Sequence, residues 1–357
     1  MYQCVFRNMT ENRIMKRKIL RILKWTFLLF LCIFFFRACI PSKQDTESIK
    51  PRHSTKYWDL KTGSKIAYTF IEGKGNKKPY PVIYLHGGPG GYVHSKVIEV
   101  LGQLSEDGFD VYLYDQIGGG LSARLKNVNE YTATRHQKDL EAIVSLLKAE
   151  KVILVGQSWG GALATLFTAD NPNKVDKIIL TCPGAVKPVN DSVEKLKAPL
   201  SLNLKDPIDV NGSVISFLLK PRYIAIRVWA LLGKKIASDA EADSYLNKMA
   251  EEFTKGLVYD SSKTLTEEGG GGGYCNIKTP TSYRRLADPR PKLINNNIPV
   301  LIIKGQYDNI PWGNTNEYKD IFKNSQLKII EKAGHDIYIE KPDEYLQAMQ
   351  LFLIKRS

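Results

Sequence analysis

The chain has 357 residues, enough for one large α/β domain or two small ones with a sizeable core, and its 43% hydrophobic and 25% charged content is that of an ordinary globular protein. Half of the net charge of +14 lies at one end: residues 1–40 hold eight basic residues and one acidic residue, and the other half is spread along the rest of the chain with no long basic run, which excludes nucleic-acid binding as a first reading. Three of the five cysteines (Cys4, Cys32, Cys39) lie in the N-terminal tail, Cys182 and Cys275 are the only pair in the body, and no CxxC spacing occurs, so neither a disulfide framework nor a cysteine metal site is expected; Cys182, at the end of an apolar strand, reads as a small buried hydrophobe.

In chain order, the basic segment KRKILRILK (16–24) precedes the uncharged run WTFLLFLCIFFF (25–36). The run is short for a membrane span, but with Lys24 and Arg37 reaching toward the headgroups residues 22–40 are long enough to cross a bilayer. No A-x-A cleavage pattern follows, so an uncleaved anchor is expected ahead of a cleaved signal or a surface-lying helix. The basic flank places the N-terminus in the cytoplasm and the body outside. Residues 41–55 are polar and Pro-containing and read as a tether, closing an N-terminal anchor unit over 1–55.

The body begins with two alternating segments, 56–60 and 64–71, around Lys61-Thr62-Gly63, the pattern of a β-hairpin. PVIYLHGGPGG (81–91) is a buried strand running into a glycine-rich loop, and 95–106 reads as helix. FDVYLYDQIGGGLS (109–122) is a second strand with a glycine-rich exit. Residues 134–150 place Leu140, Ile143, Val144 and Leu147 at amphipathic-helix spacing. KVILVGQSWGG (151–161) and a helical run follow, then the strand 174–184. After an interruption come IPVLIIKGQYD (298–308), a helix at 314–324, LKIIEKAGH (327–335) and a final helix at 342–355.

Strands alternating with helices predict an α/β fold, a mostly parallel sheet with helices on both faces. Residues 187–290 break the pattern: they lean helical and hold no clear strand. An insertion of ~100 residues between strands of one sheet is expected to form a mainly helical cap over the carboxyl edge, where open α/β sheets bind ligands. The organisation expected is therefore 1–55, a first core part at 56–186, the cap at 187–290 and a second core part at 291–357. Inside the cap, the five glycines Gly269 to Gly273 read as a flexible surface loop in preference to a lid hinge.

The chemistry centres on Gly156-Gln157-Ser158-Trp159-Gly160. A buried strand, a tight turn and a helix are the context a nucleophilic serine needs, and Gly156 and Gly160 are required where the turn passes close to its neighbours. A serine hydroxyl needs a base, and the base an orienting acid, placed after later strands. Asp308 follows one such strand and His335 the next; of the five histidines only His335 stands in a loop after a strand downstream of Ser158. The amides of Trp159 and Gly88 are the expected donors to a developing oxyanion. His86 is read as a brace of its loop, Asp115 as an acceptor for loop amides, and Asp336 as pointing away from the site.

HGGPG (86–90), DQIGGGLS (115–122), GQSWGG (156–161), GQYD (305–308) and GH (334–335) occur in this order. The set resembles the prolyl aminopeptidase (proline iminopeptidase) branch of the α/β-hydrolase superfamily, over about residues 56–186 and 298–355. The resemblance implies the α/β-hydrolase fold, with Ser158 as nucleophile, Asp308 and His335 as its partners, Gly88 and Trp159 as oxyanion donors, and neither cofactor nor metal. Members that remove N-terminal proline bind the substrate amine with cap glutamates, commonly in a Trp-Glu type motif. That motif is missing, and Glu241, Glu251, Glu252, Glu267 and Glu268 read as solvated surface charges. The expectation is a membrane-tethered serine hydrolase releasing an N-terminal residue from short peptides. A carboxylesterase or amidase acting on small acyl substrates is the alternative, and a non-catalytic binding module the remote one.

Overall fold

A computed structural model describes residues 2–41, 48–189 and 191–354; the tether expected at 41–55 lies partly outside the described residues. The strands are β1 Thr55–Asp59, β2 Lys65–Ile71, β3 Val82–Leu85, β4 Val111–Tyr114, β5 Val152–Gln157, β6 Val175–Thr181, β7 Val300–Gly305 and β8 Ser325–Ile330. They form one sheet in the order β1-β2-β4-β3-β5-β6-β7-β8. β1 and β2 are the expected hairpin, and β2 also runs antiparallel to β4; every pairing from β4 to β8 is parallel.

Two-residue periodicity sends alternate side chains to opposite faces, and both faces are covered. Ile83, Leu85, Val152, Leu154, Ile178, Leu180, Val300 and Ile302 join one apolar layer with the helices Ala133–Leu147, Trp159–Asp170 and Trp312–Ile321. Val82, Tyr84, Ile153, Val155, Ile179, Leu301 and Ile303 join the other, with Ser95–Leu101 and Pro342–Ile354. Each fully buried aliphatic side chain here contributes about 1.5–3 kcal/mol. The helix Ala133–Leu147 shows how local sequence sets its limits. Thr132 accepts a hydrogen bond from the Arg135 amide at its start, Leu140, Ile143 and Val144 form its buried stripe, and Lys148 closes it with φ 51°.

Between β6 and β7 the described residues hold helices and no strand, chiefly Asn211–Leu218, Pro221–Leu231, Asp239–Phe253 and Gly273–Tyr283. Their buried side chains Tyr223, Ile226, Ala242, Tyr245, Tyr274 and Ile277 belong to the same apolar layer as Ile83 and Leu154. At the N-terminus one helix runs Tyr2–Cys39, and its stretch Met15–Cys39 is long and apolar enough to cross a membrane.

Candidate active site

β5 sits in the middle of the sheet between β3 and β6, so its carboxyl end is flanked by the loops after both. Ser158 follows directly, with φ 51° and ψ −118°, a backbone conformation that costs a residue with a side chain about 1–3 kcal/mol. The surroundings hold it there. Its N–H donates to Thr181 O at 2.9 Å, and its carbonyl accepts from Gly184 N and Gly161 N, both at 3.0 Å. The steric case for the flanking glycines is direct: a Cβ on Gly156 would stand 2.5 Å from Gly160 O, and one on Gly160 would stand 1.9 Å from Leu85 O.

Ser158 and His335 line one cavity of about 340 Å³, a volume near the lower end of small-molecule sites. His335 Nδ1 donates to Asp308 Oδ1 at 2.7 Å, so the ring nitrogen available for chemistry is Nε2. The His335 loop is pinned by backbone contacts to the insertion: the amides of His335 and Asp336 donate to Leu257 O at 2.6 and 3.1 Å. Glu340, buried, accepts from Gly334 N at 2.7 Å and from the amides of Tyr259 and Asp260 at 2.9 and 2.8 Å.

Asp308 is fully committed. Oδ1 takes His335 and the Ile310 amide, and Oδ2 takes the buried Lys304 ammonium at 2.5 Å. Burial works against its charge, but Lys304 and then His335 outweigh it and hold the carboxyl down at about 2. Burial likewise opposes a charged His335; the charge and hydrogen bond of Asp308 prevail and raise its pKa above the ordinary histidine value. Cys182 completes a cluster in which its Sγ and the ligand atoms of Asp308 and His335 all lie within 4.8 Å of one another. The donor set suits a cation poorly, because Lys304 already neutralises Asp308 and burial raises the Cys182 thiol, keeping it protonated.

The loop after β3 supplies Gly87, Gly88, Pro89, Gly90 and Gly91 to the cavity wall, and a Cβ on Gly87 would stand 3.2 Å from Ser158 Cβ. Trp159 opens the helix, so its amide has no intrahelical acceptor. Its indole turns inward and donates to Gln116 Oε1 at 2.8 Å. Gln116 also donates to His86 O at 2.9 Å, while its own amide donates to His86 Nε2 at 2.9 Å. With Nδ1 donating to Gly87 O at 2.7 Å, both nitrogens of His86 are used in bracing the loop, and burial pushes its pKa down to about 4. Asp115 accepts the amides of Val93 and Leu121 at 2.7 and 2.8 Å, the loop-binding role expected of it; burial raises it to about 6.

Three expectations are corrected. Gly270 to Gly273 are buried, and the run is a seam rather than a surface loop. Gly272 N donates to Gly90 O and Gly120 N to Gly270 O, both at 2.7 Å, and a Cβ on Gly272 would stand 1.6 Å from Gly118 O. At Gly272 and Gly273 backbone meets backbone, and at Gly270 and Gly271 the Tyr92 ring and the Asn247 side chain leave no room for a Cβ. Asp336 does not point away: it lines the cavity and accepts from Gln157 Nε2 at 3.0 Å. Three of the five glutamates are also not solvated charges. Glu241 is buried against Arg222 at 2.8 Å. Glu267 lines the cavity, takes the Tyr92 hydroxyl at 3.2 Å, and is raised by burial to about 7. Glu268 is part-buried, pairs with Arg52 at 2.8 Å and accepts from the Ser95 amide at 3.2 Å, whereas Glu251 is exposed and Glu252 makes a surface pair with Lys255 at 2.9 Å.

Sequence reasoning missed Lys304, Asp336 and Glu267. Lys304 carried a readable signal, a lysine inside the otherwise apolar buried strand β7. Glu267 carried none, since only the folding of the insertion brings it to the cavity.

A sheet of this topology, with a strained serine at the end of its central strand and a histidine-carboxylate pair after its last two, defines the α/β-hydrolase class. The family model for the alpha/beta hydrolase fold matches residues 80–211. The proline iminopeptidase of Heyndrickxia coagulans is 27% identical over 298 residues, covering 82% of this chain and 96% of that protein. Its counterpart from Lactobacillus helveticus is 29% identical, covering 80% and 93%. Among solved structures, a bromoperoxidase from Bacillus anthracis superposes with a TM-score of 0.61 at 21% identity, covering 85% of this chain and all of that one (100%). An esterase from Exiguobacterium antarcticum gives 0.59 at 17%, covering 84% and 99%. The chain has the α/β-hydrolase fold and is a hydrolase enzyme, similar over about four fifths of its length to the proline iminopeptidases.

Proposed function

We propose that the chain is a serine hydrolase working by acyl transfer, and that it releases an N-terminal residue from short peptides. The observation that carries the reading is the 2.7 Å His335–Asp308 hydrogen bond beside a strained Ser158 on the same cavity wall. In this reading His335 Nε2 takes the Ser158 proton as Oγ attacks the substrate carbonyl. The amides of Gly88 and Trp159 hold the oxyanion. His335 then gives its proton to the leaving amine, and water, deprotonated by the same imidazole, cleaves the acyl-enzyme. Asp308 fixes the tautomer and stabilises the imidazolium. Residues 187–290 act as the cap that sizes the substrate, with Glu267 as the carboxylate that meets its free amine.

A carboxylesterase or amidase is the second reading, favoured by the apolar side chains Leu246, Met249, Phe253 and Leu265 in the cavity wall. The N-terminal helix is read as an uncleaved anchor holding the body outside the cytoplasmic membrane.

The test begins with a fluorophosphonate probe, which is expected to label wild type and not Ser158→Ala; equal labelling overturns the mechanism. Pro-, Ala- and Leu-arylamides are then compared with short acyl esters. Hydrolysis of esters alone overturns the aminopeptidase reading and leaves the esterase. For the anchor, the protein is expected to pellet with membranes at high salt and to come off in detergent.

A further inference from the structure

The N-terminal helix does not stand clear of the body. Among residues 15–41 only Leu31, Phe34 and Ala38 are withdrawn from solvent, spaced as one helical stripe. This end packs against the insertion's helix Pro221–Leu231. Arg222 fixes the join: Nη1 donates to Ala38 O at 3.0 Å, while Nε and Nη2 hold Glu241 at 2.8 and 2.9 Å. The stripe covers roughly 10 Å of the helix at 1.5 Å per residue, the end of the stretch able to span a membrane. If that stretch crosses a bilayer whose apolar core is about 30 Å thick, the helix Pro221–Leu231 lies at the depth of its outer boundary.

The exposed surface there suits that depth. Arg222, Tyr223, Ile226 and Ala230 face inward, leaving Val228, Trp229, Leu231 and Leu232 exposed, with Leu219 at the other end of the helix. Leu232 is 67% exposed and Leu219 64%, and with Val228, Trp229 and Leu231 they leave five large apolar side chains open on one short stretch. From Asn211 to Ala237 the sequence carries five basic residues and no acidic one. Lys220 lies over the Phe217 ring at 3.8 Å and Lys234 over Trp229 at 5.6 Å, the apolar-body, cationic-tip arrangement of side chains at a headgroup layer.

We propose that this face of the insertion, helix Pro221–Leu231 with Leu219 and Leu232, is seated in the surface of an anionic bilayer, so that the membrane holds the part of the chain that roofs the cavity. The inference rests on the anchor reading above. Its test uses the full chain carrying Cys4→Ser, Cys32→Ser and Cys39→Ser, with Val228→Cys or Leu232→Cys labelled by an environment-sensitive fluorophore. Leu146→Cys, an exposed apolar site on the helix Ala133–Leu147, is the control. The proteins are reconstituted in phosphatidylcholine vesicles with and without phosphatidylglycerol, then washed in high salt.

Labels at 228 and 232 are expected to shift to the blue and to be quenched by doxyl-lipid, more strongly with phosphatidylglycerol, while the label at 146 is quenched only by aqueous iodide. Protein retained on vesicles but with all three labels open to iodide overturns the seating and leaves the anchor standing. Release by salt overturns the anchor itself. Lipid quenching that phosphatidylglycerol does not alter overturns the anionic preference.

Discussion

The Lys304 ammonium lies 2.5 Å from Oδ2 of Asp308, and both side chains are buried. A second donation, to Ile310 O at 2.7 Å, fixes the ammonium across the turn that follows β7. The carboxylate that orients His335 is thus itself held by a cation, and Lys304 lowers the pKa of both groups. Lys304→Met is expected to leave a buried charge uncompensated and to cost about 3–5 kcal/mol of stability. In the enzyme that still folds, Asp308 acts on His335 unopposed, so the acidic limb of kcat/KM moves to higher pH. Denaturant unfolding and a pH–rate profile check the two effects separately.

The wild-type profile has its own expected position. A general base must be neutral to accept the serine proton, so activity rises with pH through the His335 pKa. Asp308 raises that value above 6.5 despite burial, so the limb of kcat/KM on an uncharged ester is expected above pH 6.5. An ester substrate keeps the titration of an amine out of the measurement. A limb at or below that pH would contradict the coupling.

The glycine seam makes a sharper structural prediction. A Cβ at Gly272 meets Gly118 O at 1.6 Å, and neither backbone can retreat without moving the loops that flank Ser158. Gly272→Ala is expected to lower Tm and activity together. Gly212 has nothing within 4 Å of its added Cβ and lies in the helix Asn211–Leu218, so Gly212→Ala is expected to stabilise by about 0.4–1 kcal/mol. Thermal unfolding of the two variants side by side is the check.

That seam also marks where the sequence stopped being legible. The strands, the hairpin and the Ser158 turn were readable because their signals are local: alternating apolar residues, a glycine two positions on either side of the serine, a loop histidine after a strand. Lys304 was legible in principle, as a lone cation in a buried strand. Gly270 to Gly272 were not, because what they meet lies elsewhere in the chain: the Tyr92 ring, the Asn247 side chain and the backbone of Gly90 and Gly118. The same holds for Glu267, whose neighbour Tyr92 stands 175 residues away, so nothing in its surrounding sequence set it apart from Glu268.

Glu267 gives the decisive test of specificity. Burial raises it to about 7, so near neutral pH the free enzyme holds it partly protonated, and only the ionised form attracts a substrate ammonium. Binding of aminoacyl substrates is therefore expected to improve as pH rises through about 7 and to weaken again as the α-amine loses its proton near ~8. Glu267→Gln keeps the shape and the Tyr92 contact but removes the charge. A hydrogen bond to a charged group is worth about 1.5–3 kcal/mol, so kcat/KM on aminoacyl arylamides is expected to fall roughly 10- to 100-fold, mainly through KM. Ester hydrolysis needs no ammonium and is expected to stay near wild type. A variant that loses both activities equally would show that Glu267 supports the cavity wall through Tyr92 rather than the amine. Parallel KM measurements on an alanine arylamide and its N-acetylated form, across pH 6 to 9, separate the two.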